Sequence, residues 1–384
     1  MPPAERPAPL MLVVDPGAGP GGDLPFGSYA AVAHAGQRLL AAELSRRFGA
    51  LGCAVAPLAP VKPPDGQRFH WGRWFGAGAR AALAAAERER RPVDALGYAG
   101  AGSLALADDA MLDALISPLR GEVIANNRYS ADAFVVAGDL GAAIVALEQC
   151  PSDNLAVRCL AAAGFSERDL SASPWSRFDV DTPLDLALLR LATRLPAARR
   201  PEGVVAAFLE MAMLPGGRSL EIPHLAGVGA VLRDREAQVV VAGRIPSSAW
   251  AYLETESACR VRCFIEERGM RAAPDHAPRS LLADWVTRLG PADLVNELAT
   301  LGDAVILDSR VLMAALAGSS DAAAWPPEEE RFASDFGDAT PIATQWLNEL
   351  TAAAAASPVP VVLGGHALVS DGLRILVDAA WLGR

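Results

Sequence analysis

Arg177-Phe178-Asp179-Val180-Asp181-Thr182-Pro183-Leu184-Asp185-Leu186 is the stretch on which the fold turns. Apolar and acidic residues alternate from Phe178 to Asp181, the two-residue period of a strand end. Thr182 then fits a helix N-cap, Pro183 the first helical position and Asp185 the first turn, beside the positive end of the helix dipole. Leu184, Leu186, Leu188, Leu189 and Leu191 give this helix an apolar face to dock. Asp179 and Asp181, two carboxylates at a strand terminus ahead of a helix, suit a hard cation or an oriented hydroxyl. The same pattern also describes a plain strand-to-helix junction.

The 384 residues exceed one ordinary domain, and their 52% hydrophobic content provides for a large core. No apolar run reaches the ~18 residues of a membrane span. The start, Met1-Pro2-Pro3-Ala4-Glu5-Arg6, lacks signal-peptide character, so the cytoplasm is the expected compartment. A net charge of −11 argues against nucleic acid as a partner. Lys62 is the only lysine, so any other phosphate contact falls to arginine or to backbone N–H groups. Cys53, Cys150, Cys159, Cys259 and Cys263 are irregularly spaced, and no disulfide framework or zinc site is expected.

Ahead of the closing motif, apolar strands alternate with helical stretches. Pro9–Asp15 reads as a buried strand running into a loop that holds Gly17, Gly19, Gly21 and Gly22, whose backbone can approach an anion closely. Gly36 reads as a turn opening a helix, with Arg38 in its first turn. Trp71 to about Arg90 is the next helix, its paired Trp71 and Trp74 suited to the core, to a lid or to stacking on a base. Val93–Ala99 is the central strand, ending at Gly100-Ala101-Gly102-Ser103. Asn126, Asn127, Arg128, Tyr129, Ser130 and Asp132 form a dense polar run after a further short strand.

Together the closing decapeptide and the glycine loop behind the first strand resemble the MobA/CofC-like nucleotidyltransferases. That resemblance covers the N-terminal half. It implies a three-layer, nucleotide-diphospho-sugar-transferase-like (Rossmann-like) α/β domain over residues 8–195. It also implies transfer of a nucleotidyl group from an NTP to a small phosphorylated acceptor, with magnesium. Carried over residue by residue, Gly17, Gly19, Gly21, Gly22, Arg38 and Ser103 bind the nucleotide. Asn126, Asn127 and Arg128 face the acceptor, and Asp179 and Asp181 are catalytic, with Asp181 as metal ligand. Two family features are missing: a lysine where Ala30 or Ala31 stands, and an Asp in the Gly102-Ser103 turn. The alternative is therefore an inactive nucleotide-binding or regulatory pseudoenzyme, any chemistry then lying in the C-terminal half. A homodimer is entertained as the assembly.

A linker near 196–201 separates a second α/β domain over residues 200–384, for which no resemblance is evident. A helix is expected from Gly203 to Met213. Strands are expected at 227–233, 237–242, 259–265, 304–310, 331–335 and 359–366. Polar residues follow several strands: Arg244; Glu266, Glu267 and Arg268; Asp308, Ser309 and Arg310; Gly364, Gly365 and His366. Ligands of open α/β sheets bind at such strand ends. The expected second cleft thus comprises Arg244, Arg268, Asp308, Arg310, Gly365 and His366, with a phosphate or carboxylate ligand.

Overall fold

Successive residues of β1 (Leu10–Val14) face opposite sides of a sheet, and each side carries its own apolar cluster. Leu10 and Leu12 belong to one cluster, Met11 and Val13 to the other. A computed structural model describes residues 9–15, 27–59, 69–172, 175–196, 200–268 and 276–382. The chain divides into two compact units. The first holds the described residues within Met1–Asp23 and His34–Val180, the second those within Leu24–Ala33 and Asp181–Arg384.

After β1 come α1 (Tyr29–Ala50), β2 (Ala54–Leu58), α2 (Trp71–Arg88), β3 (Ala95–Ala99), α3 (Asp109–Leu115), β4 (Glu122–Ala125), β5 (Ala133–Ala137), α4 (Leu140–Leu147), α5 (Ala156–Ala162) and β6 (Ser166–Asp169). The six strands form one mixed sheet in the order β2-β1-β3-β5-β4-β6, with β5 alone reversed. Trp71 and Phe75 of α2 stack at 5.1 Å and meet Tyr98 and Phe134 on one face. Leu44 and Phe48 of α1 and Leu112 and Leu115 of α3 cover the other. Helices on both faces of a buried sheet make three layers. Trp71 is therefore core, while the Trp74 indole N–H donates to the Ala59 carbonyl.

The second unit contains the first residues of α1 and then α6 (Pro183–Ala192), α7 (Gly203–Met211), β7 (Met213–Leu214), β8 (Arg218–Ser219), α8 (Leu225–Arg233), β9 (Gln238–Gly243), α9 (Ser247–Glu256), β10 (Arg260–Ile265), α10 (Leu281–Leu289), α11 (Pro291–Thr300), β11 (Ala304–Asp308), α12 (Arg310–Ala317), α13 (Glu328–Asp335), α14 (Gln345–Ala356), β12 (Val361–Gly364), α15 (His366–Val369) and α16 (Asp371–Ala380). Its main sheet is fully parallel, β10-β9-β11-β12, and β7 pairs with β8 separately.

Several expectations change. Residues 227–233 are helical, because Val228 and Leu232, four apart, bury one side of α8 against α16. Residues 331–335 lie in α13. Gly36 lies inside α1, whose alanine-rich start already holds a helix. The Ser28 hydroxyl accepts from Ala31 N–H, and the Glu329 carboxylate accepts from Tyr29 and Ala30, at 2.9 Å each. The segment before Thr182 is extended but joins no ladder. Helix α6 is buried on all sides rather than on one face, among α7, α13, α15 and α16. Those four helices belong, like α6, to the second unit. A disulfide joins Cys150 and Cys159, a single pairing where no disulfide framework was expected.

Candidate functional site

Strand order in the first unit reverses beside β1: the chain leaves to β2 on one side and returns to β3 on the other. At such a point the exits of adjacent parallel strands diverge and leave a crevice. Asp15 follows β1, its N–H on the Leu58 carbonyl at 3.1 Å. Gly17, Gly19, Gly21 and Gly22 lie outside the described residues, as does Lys62.

Beyond β3 the chain folds into a tight turn. Gly100 donates to the Asp132 carbonyl at 2.8 Å, and the Ser103 N–H and hydroxyl both donate to the Gly100 carbonyl. Ser103 is buried, and its hydroxyl proton is spent on that turn. Leu104, also buried, holds a left-handed φ of 59°, an unfavourable conformation for leucine. The closing motif lies against this turn. Val180 N–H donates to the Gly102 carbonyl at 3.2 Å, and Gln37 Nε2 donates to the Val180 carbonyl at 3.0 Å. A Cβ on Gly102 would stand 2.2 Å from the Val180 carbonyl oxygen and 3.0 Å from Asp179 Oδ1. Asp179, half-buried, is thus the carboxylate at the turn. Beneath it burial pushes the Tyr98 phenol well above its ordinary range, reinforced by Asp153, Asp132 and Asp179.

Other expected contacts are taken up locally. Asn126 is buried, donating to the Ser176 carbonyl and accepting from Ala133 N–H at 3.0 Å each. Asn127 Oδ1 accepts from Tyr129 N–H. Arg128 pairs with Glu167 at 2.7 Å and lies over the Tyr129 ring. Arg38 is exposed in the interior of α1, well past its N-terminus. Asp108 caps α3, and Asp109 pairs with Arg47. A cleft of about 320 Å³ opens at the opposite end of the sheet, by Asp94, Ser117 and Arg120.

Asp181 has different surroundings. Its side chain is exposed, and its N–H donates to Asp185 Oδ2 at 3.0 Å. The same oxygen accepts from Thr182 N–H at 2.8 Å, while the Thr182 hydroxyl accepts from Asp185 N–H, closing a capping box. Burial, with the charges of Asp181 and Asp335 added, pushes the Asp185 carboxyl up to about 7.

In the second unit the order reverses between β9 and β11. Arg244 grips Asp308 through Nε at 2.6 Å and Nη2 at 3.0 Å, and Arg310 N–H donates to the same carboxylate. Burial opposes ionisation of Asp308, but Arg244, His366 and Arg310 together hold it below the usual carboxylate range. Arg310 binds both oxygens of Asp335. Gly365 adjoins Arg310, a Cβ there lying 3.7 Å from Nε, and His366 is exposed at the start of α15. Arg268, also exposed, follows β10, across β9 from β11. Glu266 anchors α10 by accepting from Ser280 and Leu282. The sequence did not single out Asp335, which sits within α13 where a strand was expected, or Asp185 as an ionisable group.

Among the described residues no helix is long and apolar enough to cross a membrane, and no group of three or more His, Cys, Asp or Glu could hold a metal ion. Compared with known proteins, the chain matches no family model and no curated relative.

Proposed function

We propose that the first unit binds a nucleoside triphosphate where β1 and β3 end and transfers its nucleotidyl group to a small phosphorylated acceptor, as the likeness to MobA/CofC-like nucleotidyltransferases implies. One observation carries this reading: the Asp179 carboxylate stands against the Gly102 turn at the sheet's reversal point. A three-layer sheet with a single reversed strand supports the nucleotide-diphospho-sugar-transferase-like fold as part of the same proposal.

In the transfer, an acceptor phosphate oxygen forms a bond to the α-phosphorus while the bond to pyrophosphate breaks, and pyrophosphate leaves with that electron pair. Such chemistry asks the protein for positioning and charge neutralisation. Magnesium, when bound, supplies the neutralising charge. It accepts one or two carboxylates with phosphate and water oxygens, so a lone Asp179 meets its minimum. The ligand role expected of Asp181 passes to Asp179, because Asp179 adjoins the turn. Asn127 and Arg128, at the exit of β4, remain the acceptor-side residues.

A second reading, a nucleotide-binding module without transfer, is favoured by the Ser103 hydroxyl being spent on its own turn and by the lack of an acid within the Gly100-Ala101-Gly102-Ser103 segment itself. A thermal-shift series with the four NTPs, with and without magnesium, separates the two. Stabilisation that needs magnesium and disappears in Asp179→Asn supports transfer. Stabilisation indifferent to magnesium supports the module, and none with any NTP removes both readings.

A further inference from the structure

We propose that the reversal point of the second unit's sheet, between β9 and β11, binds the oxyanion group of a small molecule, a phosphate ester or a carboxylate, through Arg244. The site is separate from the nucleotide site proposed above and does not depend on it.

Arg244 is held as a contact group would need to be. Gly243, at φ 132°, brings the exit of β9 so close to that of β11 that a Cβ would lie 2.3 Å from the Asp308 Cβ, a path open to glycine alone. Asp308, fully buried, then takes the side-on edge of the guanidinium, Nε and Nη2. The end-on edge remains: one proton each on Nη1 and Nη2, parallel and spaced for two oxygens of one anion. Nη1 makes no hydrogen bond among the described residues, and the side chain keeps 17% of its surface exposed.

The frame behind it is rigid. Asp308 also accepts from Arg310 N–H at 3.2 Å, and Arg310 is fixed by the buried Asp335. An arginine already ordered loses little freedom when it binds. A buried ion pair alone gives weak stabilisation, whereas holding an arginine with a second donor edge unpaired gives it a use. The net charge of −11 disfavours indiscriminate anion uptake, so saturable binding would report this site.

The test titrates inorganic phosphate, and in parallel acetate, into the full chain by calorimetry at constant ionic strength. The expected result is one saturable site, with the tighter anion identifying the head group. Arg244→Lys keeps a cation opposite Asp308 but has no end-on edge, and it should weaken binding at least tenfold. The pair Arg244→Met with Asp308→Asn should abolish binding while the urea midpoint shows a folded chain. If that pair does not fold, Arg244→Lys decides alone. Equal binding by Arg244→Lys, or no saturable binding of either anion by the parent chain, overturns the proposal. Magnesium–NTP stabilisation, measured on the same variants, reads the first unit separately and should not change.

Discussion

Gly102 and Val180 meet backbone to backbone: Val180 donates to the Gly102 carbonyl at 3.2 Å, and the space a Gly102 side chain would need is filled by the Val180 carbonyl, 2.2 Å from where a Cβ would stand. That oxygen is in turn held by Gln37, so it cannot swing aside without breaking a hydrogen bond. Gly102→Ala should therefore destabilise the chain by about 1–3 kcal/mol, the usual cost of overpacking. Urea denaturation measures it. An unchanged midpoint would mean that the closing motif does not press on this turn.

Asp179 and Asp181, two residues apart, should respond differently to the same change. Asp179→Asn is expected to remove the magnesium-dependent part of NTP stabilisation. Asp181→Asn, at an exposed residue whose N–H donates to Asp185, should leave it in place. Reversed effects would move the proposed ligand role to Asp181.

Asp185 makes stability depend on pH. Its carboxyl titrates at about 7 in the folded chain against 3.8 unfolded. Between those values the folded form holds a proton that the unfolded form has released. Stability is therefore greatest below pH 3.8 as far as this group is concerned, and it falls as pH rises to about 7. The full effect is on the order of 4 kcal/mol. Asp185→Asn keeps an acceptor for the Asp181 and Thr182 N–H groups and cannot ionise. Its unfolding free energy, measured from pH 4 to 8, should lack this downward slope; the parent's slope persisting in the variant would assign it elsewhere.

Arg310 and Asp335 form a buried pair whose halves are not separable. Asp335→Ala leaves a buried guanidinium without its carboxylate and should cost about 3–5 kcal/mol. Arg310→Met together with Asp335→Leu should cost far less. Denaturation curves of the three chains check both statements, and equal losses would contradict them.

Much of the sheet architecture was legible because buried parallel strands are continuous apolar runs. Leu10–Val14, Val239–Gly243 and Ala304–Asp308 carry that signature plainly. Edge strand β6 did not, since Ser166-Glu167-Arg168-Asp169 has one paired side and no alternation. Helix α8 was hidden by its brevity: over nine residues, Val228, Val231 and Leu232 fit a strand as well as a helix. The alternation of Phe178, Asp179, Val180 and Asp181 is real in burial, yet its hydrogen bonds go to Gly102 and Gln37 instead of a ladder. Of the candidate sites, the polar exits of β9, β11 and β12 could be read from position alone. That Asn126 spends its amide on the Ser176 carbonyl could not, because a hydrogen-bond partner fifty residues away leaves no mark in sequence spacing.

Glu329 caps the first turn of α1 from three hundred residues downstream, and Tyr29 is locked beside it by Asp338, Arg218 and the Phe336 ring. A ribosome releases Glu329 and Asp338 long after residues 27–33. The Tyr29 and Ala30 N–H groups must therefore wait through most of translation for their acceptor. A nascent chain halted near residue 300 should leave this stretch open to protease, and release of the residues through Asp338 should close it; early protection would show that the first turn forms without them.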